Sequence, residues 1–181
     1  KITEYCRGGC SYCYMNSRKT DRHSDDIIKK VQDYFGPMTE NERPFQVAIG
    51  GGEPTAHPDF IDLIQLFKSY GIEPNYTTNG MHLSDKIIET TENICGGVAL
   101  SWHPHISKIF HESMVKLSGI KTKLNFHVII GSEQSLIDLQ NLYEQYEDKV
   151  DYFVLLPYSS TGRAKEIETQ LKQNISSRKD T

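Results

Sequence analysis

The sequence alternates between two kinds of segment, and this alternation constrains the fold more than any other feature. Short apolar runs are each followed, after a few glycines or polar residues, by a longer segment with helical periodicity. The pattern recurs six times at roughly 25 residues per repeat, which is the spacing of a strand–helix unit. It predicts an α/β fold with parallel strands and helices packed outside them. Six units are too few for a closed eight-unit barrel, so an open, curved barrel and a doubly wound sheet both fit.

The individual elements can be placed from periodicity and from their start and stop signals. Strand-like segments are predicted at residues 1–5, 45–49, 72–80, 96–104, 122–131 and 150–158. Helices are predicted after Ser24, from Pro58, after Ser84, over residues 106–117, after Ser132 and from about residue 163. The sequence shows no internal linker, so we expect one domain over residues 1–170 and a polar tail over residues 171–181.

Composition excludes several classes of partner. The 181 residues carry a net charge of −4, with a pI near 6.0, which does not favour bulk nucleic-acid binding. No apolar run approaches the ~20 residues of a membrane-spanning helix, so no membrane association is expected. The sequence therefore predicts a globular protein that binds neither nucleic acid nor membranes through its net charge.

The residues most typical of functional sites follow directly after the predicted strands. The cysteine cluster follows the first strand, and the later strands are followed in turn by GGGEP, TTNG, SWHPH, GSEQ and PYSSTGRA. The carboxyl ends of parallel strands meet along one edge of a sheet, and ligands bind there. We therefore expect these separated motifs to be neighbours in space.

Three of the four cysteines fall within eight residues, at Cys6, Cys10 and Cys13, while Cys95 is distant. Clustered thiols in a chain of this size favour metal binding over disulfides and hence a reducing compartment, the cytoplasm. A structural zinc site needs a fourth ligand, for which His23 is the only plausible side chain. A [4Fe–4S] cluster held by three thiolates leaves one iron open for chemistry. Cys95 is predicted at the opposite edge of the sheet.

The segment Cys6-Arg-Gly-Gly-Cys10-Ser-Tyr-Cys13 resembles the CxxxCxxC signature of radical S-adenosylmethionine (SAM) enzymes. Gly51-Gly-Glu-Pro54 after the second strand, TNG after the third and PYSSTGRA after the sixth are similar to further motifs of that family. The resemblance covers nearly the whole chain. It implies a partial (β/α)6 barrel similar to a TIM barrel, and cysteines that bind three irons of a [4Fe–4S] cluster. It further implies SAM on the fourth iron, reductive cleavage to methionine, and a 5′-deoxyadenosyl radical that abstracts hydrogen from a substrate.

The same resemblance implies roles for residues after the first four strands. Tyr12 is expected against the adenine, and a backbone turn is expected around the methionine ammonium. The ribose and carboxylate are expected to meet hydroxyl and amide side chains. The turn comprises Gly51, Gly52, Glu53 and Pro54, and the polar side chains are Thr78, Asn79 and Ser101. Each glycine or asparagine motif also has a plain interpretation as a tight turn, and Ser101 as a strand-end hydroxyl.

The fifth predicted strand places Asn125, His127 and Ile129 on one face by its period of two. Polar residues on a barrel-lining face need partners, which are either a ligand or neighbouring core groups. The family often has GxIxGxxE here. In this chain His127 replaces the first glycine and Glu133 falls one place early, which leaves Ile129 as the main expected adenine contact.

Two further features have alternative interpretations. The Trp102-His-Pro-His105 segment is predicted to contact substrate or to act in acid–base chemistry, or else to form an ordinary surface loop. Arg163 is predicted either to pair with an anionic part of SAM or substrate, or to be solvated.

The sequence thus predicts a radical SAM enzyme acting on a peptide or protein, with a nucleoside or nucleotide as the alternative substrate. The resemblance also implies an electron donor such as flavodoxin or ferredoxin. A different class of function, a non-catalytic iron–sulfur or zinc-binding module, accounts for the cysteines but leaves GGEP unexplained.

Overall fold

A computed structural model describes residues 1–165 and shows one five-stranded sheet with helices beside it. The strands are β1 (Gln46–Ile49), β2 (Glu73–Thr78), β3 (Gly97–Ser101), β4 (Lys123–Ile130) and β5 (Tyr152–Pro157). The α-helices are α1 (Ile27–Phe35), α2 (Phe60–Ser69), α3 (Asp85–Ile94), α4 (Ser107–Leu117) and α5 (Glu133–Tyr146).

All neighbouring strands are parallel, and their order in the sheet is the order in the chain. The register places Thr78 beside Leu100 and Ser101 beside His127, so the carboxyl ends of the strands lie along one edge. Among the described residues β1 and β5 do not pair, and the barrel is therefore open. The predicted α/β fold, a partial barrel of parallel strands with helices outside, is confirmed.

The core lies between the sheet and the helices. Alternate residues of β4, namely Leu124, Phe126 and Val128, are buried on the helical side. The opposite face of β4 carries Asn125, His127 and Ile129, as its period of two requires. The predicted apolar face of α2 is fully buried and contains Phe60, Leu63, Ile64 and Phe67. Burial of these large side chains from the sheet and from the helices holds the two layers together, and so supports the carboxyl edge of the sheet.

Two of the five α-helices described above, α3 and α5, start at capping serines expected from the sequence. The Ser84 hydroxyl accepts a hydrogen bond from the Ile87 amide at the start of α3, and Ser132 caps α5 in the same way through Ser135. These bonds satisfy amides that have no partner within the first helical turn.

The first predicted strand is wrong in detail. Residues 1–5 make only isolated bridges, between Thr3 and His23 and between Tyr5 and Arg18. Their backbone instead bonds to the turn after β1: the Ile2 amide donates to the Gly50 carbonyl at 2.9 Å, and the Glu53 amide donates to the Tyr5 carbonyl at 2.7 Å. The described sheet therefore has five strands, not six.

The strand predicted over residues 45–49 is observed from Gln46 to Ile49, at an edge of the described sheet, and Phe45 just before it is 78% exposed. A helical turn begins at Arg163, and most of the last predicted helix, the domain end at residue 170 and the tail 171–181 lie outside the described residues. No helix within residues 1–165 has the length and apolar character needed to cross a membrane.

Candidate functional site

A cavity of about 350 Å³ opens at the carboxyl edge of the sheet, against the cysteine loop. Twelve of the fourteen predicted site residues line it. They are Cys6, Cys10, Tyr12, Cys13, Gly51, Gly52, Glu53, Thr78, Asn79, Ser101, His127 and Ile129. Motifs separated by more than a hundred residues therefore meet where the parallel topology predicts.

The cysteine loop supplies three free thiols to this cavity. The loop begins where the Cys6 amide donates to the Arg18 carbonyl, and the Gly8 amide then donates to the Cys6 sulfur at 3.3 Å. A Cβ atom on Gly8 would lie 3.3 Å from the Cys6 sulfur and 3.6 Å from the Cys10 sulfur. Gly8 thus brings its backbone close to two thiols at once. Burial, followed by the neighbouring cysteines, raises the pKa of the Cys10 thiol to about 12.

The glycine turn after β1 fits closely around residues 3–5. The Gly52 amide donates to the Thr3 carbonyl at 2.7 Å, and a Cβ on Gly52 would lie 2.2 Å from the Tyr5 carbonyl oxygen. Only glycine permits this approach of two backbones. Because Tyr5 immediately precedes Cys6, the contact places the turn and the cysteine loop side by side.

The Glu53 carboxylate faces the protein interior and is 2% exposed. Its Oε1 accepts bonds from the Thr55 amide at 3.2 Å, the Thr55 hydroxyl at 2.5 Å and the Thr78 hydroxyl at 2.7 Å. Its Oε2 accepts the Asn79 amide at 2.8 Å. Burial raises the pKa of Glu53, while these four bonds oppose the rise. The side chain therefore ties the turn after β1 to the end of β2.

Asn79 connects that end of β2 to the cysteine loop. Its Nδ2 donates to the Cys6 sulfur at 3.5 Å, and its Oδ1 accepts the Met81 amide at 2.9 Å. The amide orientation is thus fixed by the turn, with the NH₂ group directed to sulfur. Thr78, Asn79 and Glu53 form one hydrogen-bonded unit beside the thiols.

The segment after β3 also contacts the cysteine loop. His103 lines the cavity, and its Nδ1 lies 3.1 Å from the Tyr12 hydroxyl oxygen. Burial, with a smaller effect of His105, lowers the pKa of His103 to about 4, so this ring is neutral near pH 7. The His105 Nε2 lies 2.6 Å from the Gly8 carbonyl oxygen, and the Trp102 Nε1 donates to Asp138 at 3.0 Å. The two histidine rings therefore contact the cysteine loop, whereas the Trp102 ring bonds to α5, so this segment is not an ordinary surface loop.

Two predicted site residues do not reach the cavity. Pro54 is buried at the start of a 3₁₀ turn after Glu53, where its fixed φ suits a first helical position. Asn125 lies two residues before His127 on β4, roughly 7 Å further from the carboxyl edge by strand geometry. The Asn125 Oδ1 is buried without a hydrogen-bond partner.

Arg163 binds the cysteine loop, a role that neither sequence interpretation assigned. Its side chain donates from Nε to the Cys10 carbonyl at 2.9 Å and from Nη1 to the Ser17 carbonyl at 2.7 Å. The side chain is partly buried, and two of its donors are used by carbonyls of the loop.

Sequence reasoning did not assign several lining residues, which are Tyr14, Met15, Ser17, Gly50, Thr77 and Leu156. Their positions gave a usable signal, since each lies in the cysteine loop or near the carboxyl end of a strand. Their residue types carry no chemistry that would mark them individually.

The donor set fits a cluster better than a single zinc ion. His23 is engaged elsewhere: its Nδ1 lies 2.9 Å from the Thr3 hydroxyl, and its ring contacts His57 with centroids 5.1 Å apart. Within residues 1–165, no three His, Cys, Asp or Glu side chains are arranged around a common point for one metal ion. In an iron–sulfur cluster each thiolate binds a different iron, so three thiols around one cavity match that group.

Comparison with known proteins identifies a family. The family model described as the Radical SAM superfamily matches residues 1–101. A protein of Methanocaldococcus jannaschii, named as a glycyl-radical enzyme activating enzyme, is 26% identical over 178 residues, covering 91% of this chain and 66% of its own length. The mycofactocin maturase MftC of Mycobacterium ulcerans is 30% identical over 93 residues, covering 48% of this chain and 23% of MftC.

A third relative, named as a GTP 3′,8-cyclase of Saccharolobus islandicus, is 26% identical over 144 residues, covering 76% of this chain and 42% of its own. Among solved structures, Streptococcus suis SuiB bound to S-adenosylmethionine superposes with a TM-score of 0.70 at 18% identity. That match covers 97% of this chain and 46% of SuiB, and it concerns the fold. The chain thus spans about half the length of SuiB and at most two thirds of these relatives.

Proposed function

The chain belongs to the Radical SAM superfamily, whose members are enzymes of radical chemistry, and on that basis we propose that Cys6, Cys10 and Cys13 bind a [4Fe–4S] cluster. When bound, such a cluster with SAM supplies an electron that cleaves SAM to methionine and a 5′-deoxyadenosyl radical, which abstracts hydrogen from a substrate. The observation that supports this assignment best is the convergence of three free thiols and the glycine turn on one cavity. The residues of the chain hold and orient both groups.

Different residues of the cavity are suited to different chemical groups of SAM. The carbonyls of the turn at Gly51 and Gly52 are suited to the methionine ammonium, because the Glu53 side chain is already bonded internally. Tyr12 offers an aromatic face for the adenine and is oriented by His103. Ser101 and His127 are adjacent across β3 and β4 and present polar atoms for the ribose and carboxylate.

We propose a peptide or protein as the substrate. Within the described part of the chain no lysine or arginine lines the cavity, and the histidines His103 and His127 both have a pKa lowered by burial. Charged arginine and lysine groups are common partners of a nucleotide phosphate, and this lining does not supply them. MftC, a maturase, is among the relatives; the GTP cyclase relative keeps the nucleotide alternative open to test.

The site requires a reducing environment and an electron source. All four cysteines are free thiols, and a reduced cluster needs a low-potential donor such as flavodoxin or ferredoxin. We therefore place the enzyme in the cytoplasm with such a donor as its partner.

The radical activity is tested by SAM cleavage. The protein is reconstituted anaerobically with iron and sulfide, reduced with dithionite and assayed for 5′-deoxyadenosine by liquid chromatography. We expect product from the wild type and from Cys95→Ala, and none from Cys10→Ala. Cys95 is a matched control because it is an equally buried free thiol at the end of α3, outside the cavity lining. Equal product from Cys10→Ala would contradict the assignment.

The substrate class needs a separate comparison. A mixed peptide library and a mixture of nucleoside triphosphates are added to the same assay, and the rate of 5′-deoxyadenosine formation is measured. Stimulation by peptides alone is expected, whereas stimulation by the triphosphates alone would replace the peptide assignment with the nucleotide one.

A further inference from the structure

The segment after β5 reaches back across the molecule to the cysteine loop. Two adjacent residues, Gly162 and Arg163, make this contact. They use three groups, which are the Arg163 amide, the Arg163 guanidinium and the Gly162 backbone. The Arg163 amide donates to the Cys13 carbonyl at 3.0 Å, and its guanidinium bonds to the carbonyls of Cys10 and Ser17. A Cβ on Gly162 would lie 2.4 Å from both the Cys13 and Tyr14 carbonyl oxygens. The backbone of Gly162 is therefore pressed against the loop where Arg163 binds it.

The loop itself has little internal structure to hold this shape. Between Cys10 and Ser17 the described backbone bonds are Cys13 amide to Cys10 carbonyl at 3.3 Å and Asn16 amide to Cys13 carbonyl at 3.2 Å. Arg163 adds a second donor to each of these two carbonyls, which each have two lone pairs. A planar guanidinium that is permanently charged can join two carbonyls in a fixed geometry.

We propose that Arg163 is a positioning residue that holds residues 10–17 in the conformation in which Cys10 and Cys13 present their thiols to the cavity. This proposal deepens the proposed function and rests on it for the identity of the bound group. The side chain acts through loop carbonyls and is not among the residues that line the cavity.

The chain contains a matched control for this arginine. Arg43 donates from Nε to the Phe35 carbonyl at 3.2 Å, from Nη1 to Tyr70 at 3.2 Å and from Nη2 to Gly36 at 3.4 Å. It makes the same kind of arginine-to-carbonyl contact, but at the ends of α1 and α2, away from the cysteine loop. Substitution at Arg43 therefore measures the general cost of losing such bonds.

The first readout uses the cluster-free protein. Hydrogen–deuterium exchange is measured for the amides of Cys13 and Asn16 in wild type, Arg163→Gln, Arg163→Lys and Arg43→Gln. We expect exchange in Arg163→Gln to be faster by roughly tenfold, because two charge-assisted bonds to the loop are lost. Arg163→Lys should give an intermediate rate, since a lysine cannot reproduce the planar fork. Arg43→Gln should match the wild type in this loop.

The second readout uses the reconstituted protein. Cluster loss to an iron chelator, followed by absorbance, should be roughly tenfold faster in Arg163→Gln than in Arg43→Gln. Unchanged exchange and unchanged cluster retention in Arg163→Gln would overturn the proposal, as would equal effects of the two glutamine variants. Failure of the wild type to take up a cluster would instead refute the proposed function, while the exchange experiment would still decide the role of Arg163.

Discussion

The buried carboxylate of Glu53 offers a sharp test of how the site is held together, through the isosteric change Glu53→Gln. The native carboxylate accepts four hydrogen bonds, three on Oε1 and one on Oε2. A glutamine amide has only one acceptor oxygen, so its NH₂ must face at least one existing donor. If the oxygen takes the Oε1 position, the NH₂ faces the Asn79 amide, which is left buried without an acceptor.

The expected cost follows from these bonds. An unsatisfied buried donor costs about 1–3 kcal/mol, and hydrogen bonds to a charged group are roughly twice as strong as neutral ones. Removal of a buried charge offsets part of this loss. We therefore expect Glu53→Gln to lower the free energy of unfolding by about 3 kcal/mol, which for a domain of this size lowers Tm by roughly 6–12 °C.

The assay is urea unfolding of the cluster-free protein, followed by circular dichroism. Glu112→Gln serves as the control, because Glu112 is a 61% exposed carboxylate whose Lys108 partner lies 3.8 Å away, and its loss should cost less than about 1 kcal/mol. If Glu53→Gln is as stable as the wild type, the native carboxyl is protonated and the arrangement of four donors around a carboxylate is refuted.

Two further changes test the loop and the ring cluster. Gly162→Ala should impair cluster uptake strongly, because Gly162 has φ +57° and no room for a Cβ; Gly119→Ala, with φ +92° and nothing within 4 Å, carries only the backbone strain and should leave uptake unchanged. Equal uptake by both variants would contradict the steric argument. The pKa of His103 is about 4 in the folded protein, against an ordinary value of 6.5. As the pH falls, the unfolded chain therefore binds this proton before the folded protein does. The stabilising contribution of the neutral His103 ring is thus present above about pH 6.5 and is lost as the pH falls through 4. Between about pH 8 and about pH 4.5 the wild type should therefore lose about 2.5 kcal/mol more stability than His103→Gln in urea titrations, and parallel curves would show that His103 is not buried as a neutral ring.

Most of the architecture could be predicted from the sequence because its signals are local. Helical periodicity and the caps Ser84 and Ser132 placed α3 and α5, and the strand–helix rhythm predicted a parallel sheet. The prediction of a first strand at residues 1–5 was wrong because of contacts between residues distant in sequence. Residues 1–5 read as strand-like, but their bonding groups are used by the turn at Gly50 to Glu53, which no periodicity reveals.

In the candidate site, too, the position of each motif could be predicted from the sequence, whereas contacts between distant residues could not. The rule that ligands bind at the carboxyl ends of parallel strands brought the cysteines, the glycine turn and His127 to one cavity. The directions of individual side chains could not be predicted as well from the sequence. Asn125 shares a face with His127 yet lies one step too deep on the strand, and Glu53 turns inward to four donors. Arg163 was the clearest miss, because its partners are carbonyls some 150 residues away in sequence.

The central claim is that the three-cysteine loop holds a cluster with one iron open to SAM. The most direct measurement is electron paramagnetic resonance of the anaerobically reconstituted, dithionite-reduced protein, recorded with and without SAM. A [4Fe–4S]⁺ signal that changes on addition of SAM in the wild type and in Cys95→Ala, and is lost in Cys10→Ala, is the predicted result. A fully assembled cluster whose signal does not respond to SAM would contradict the claim.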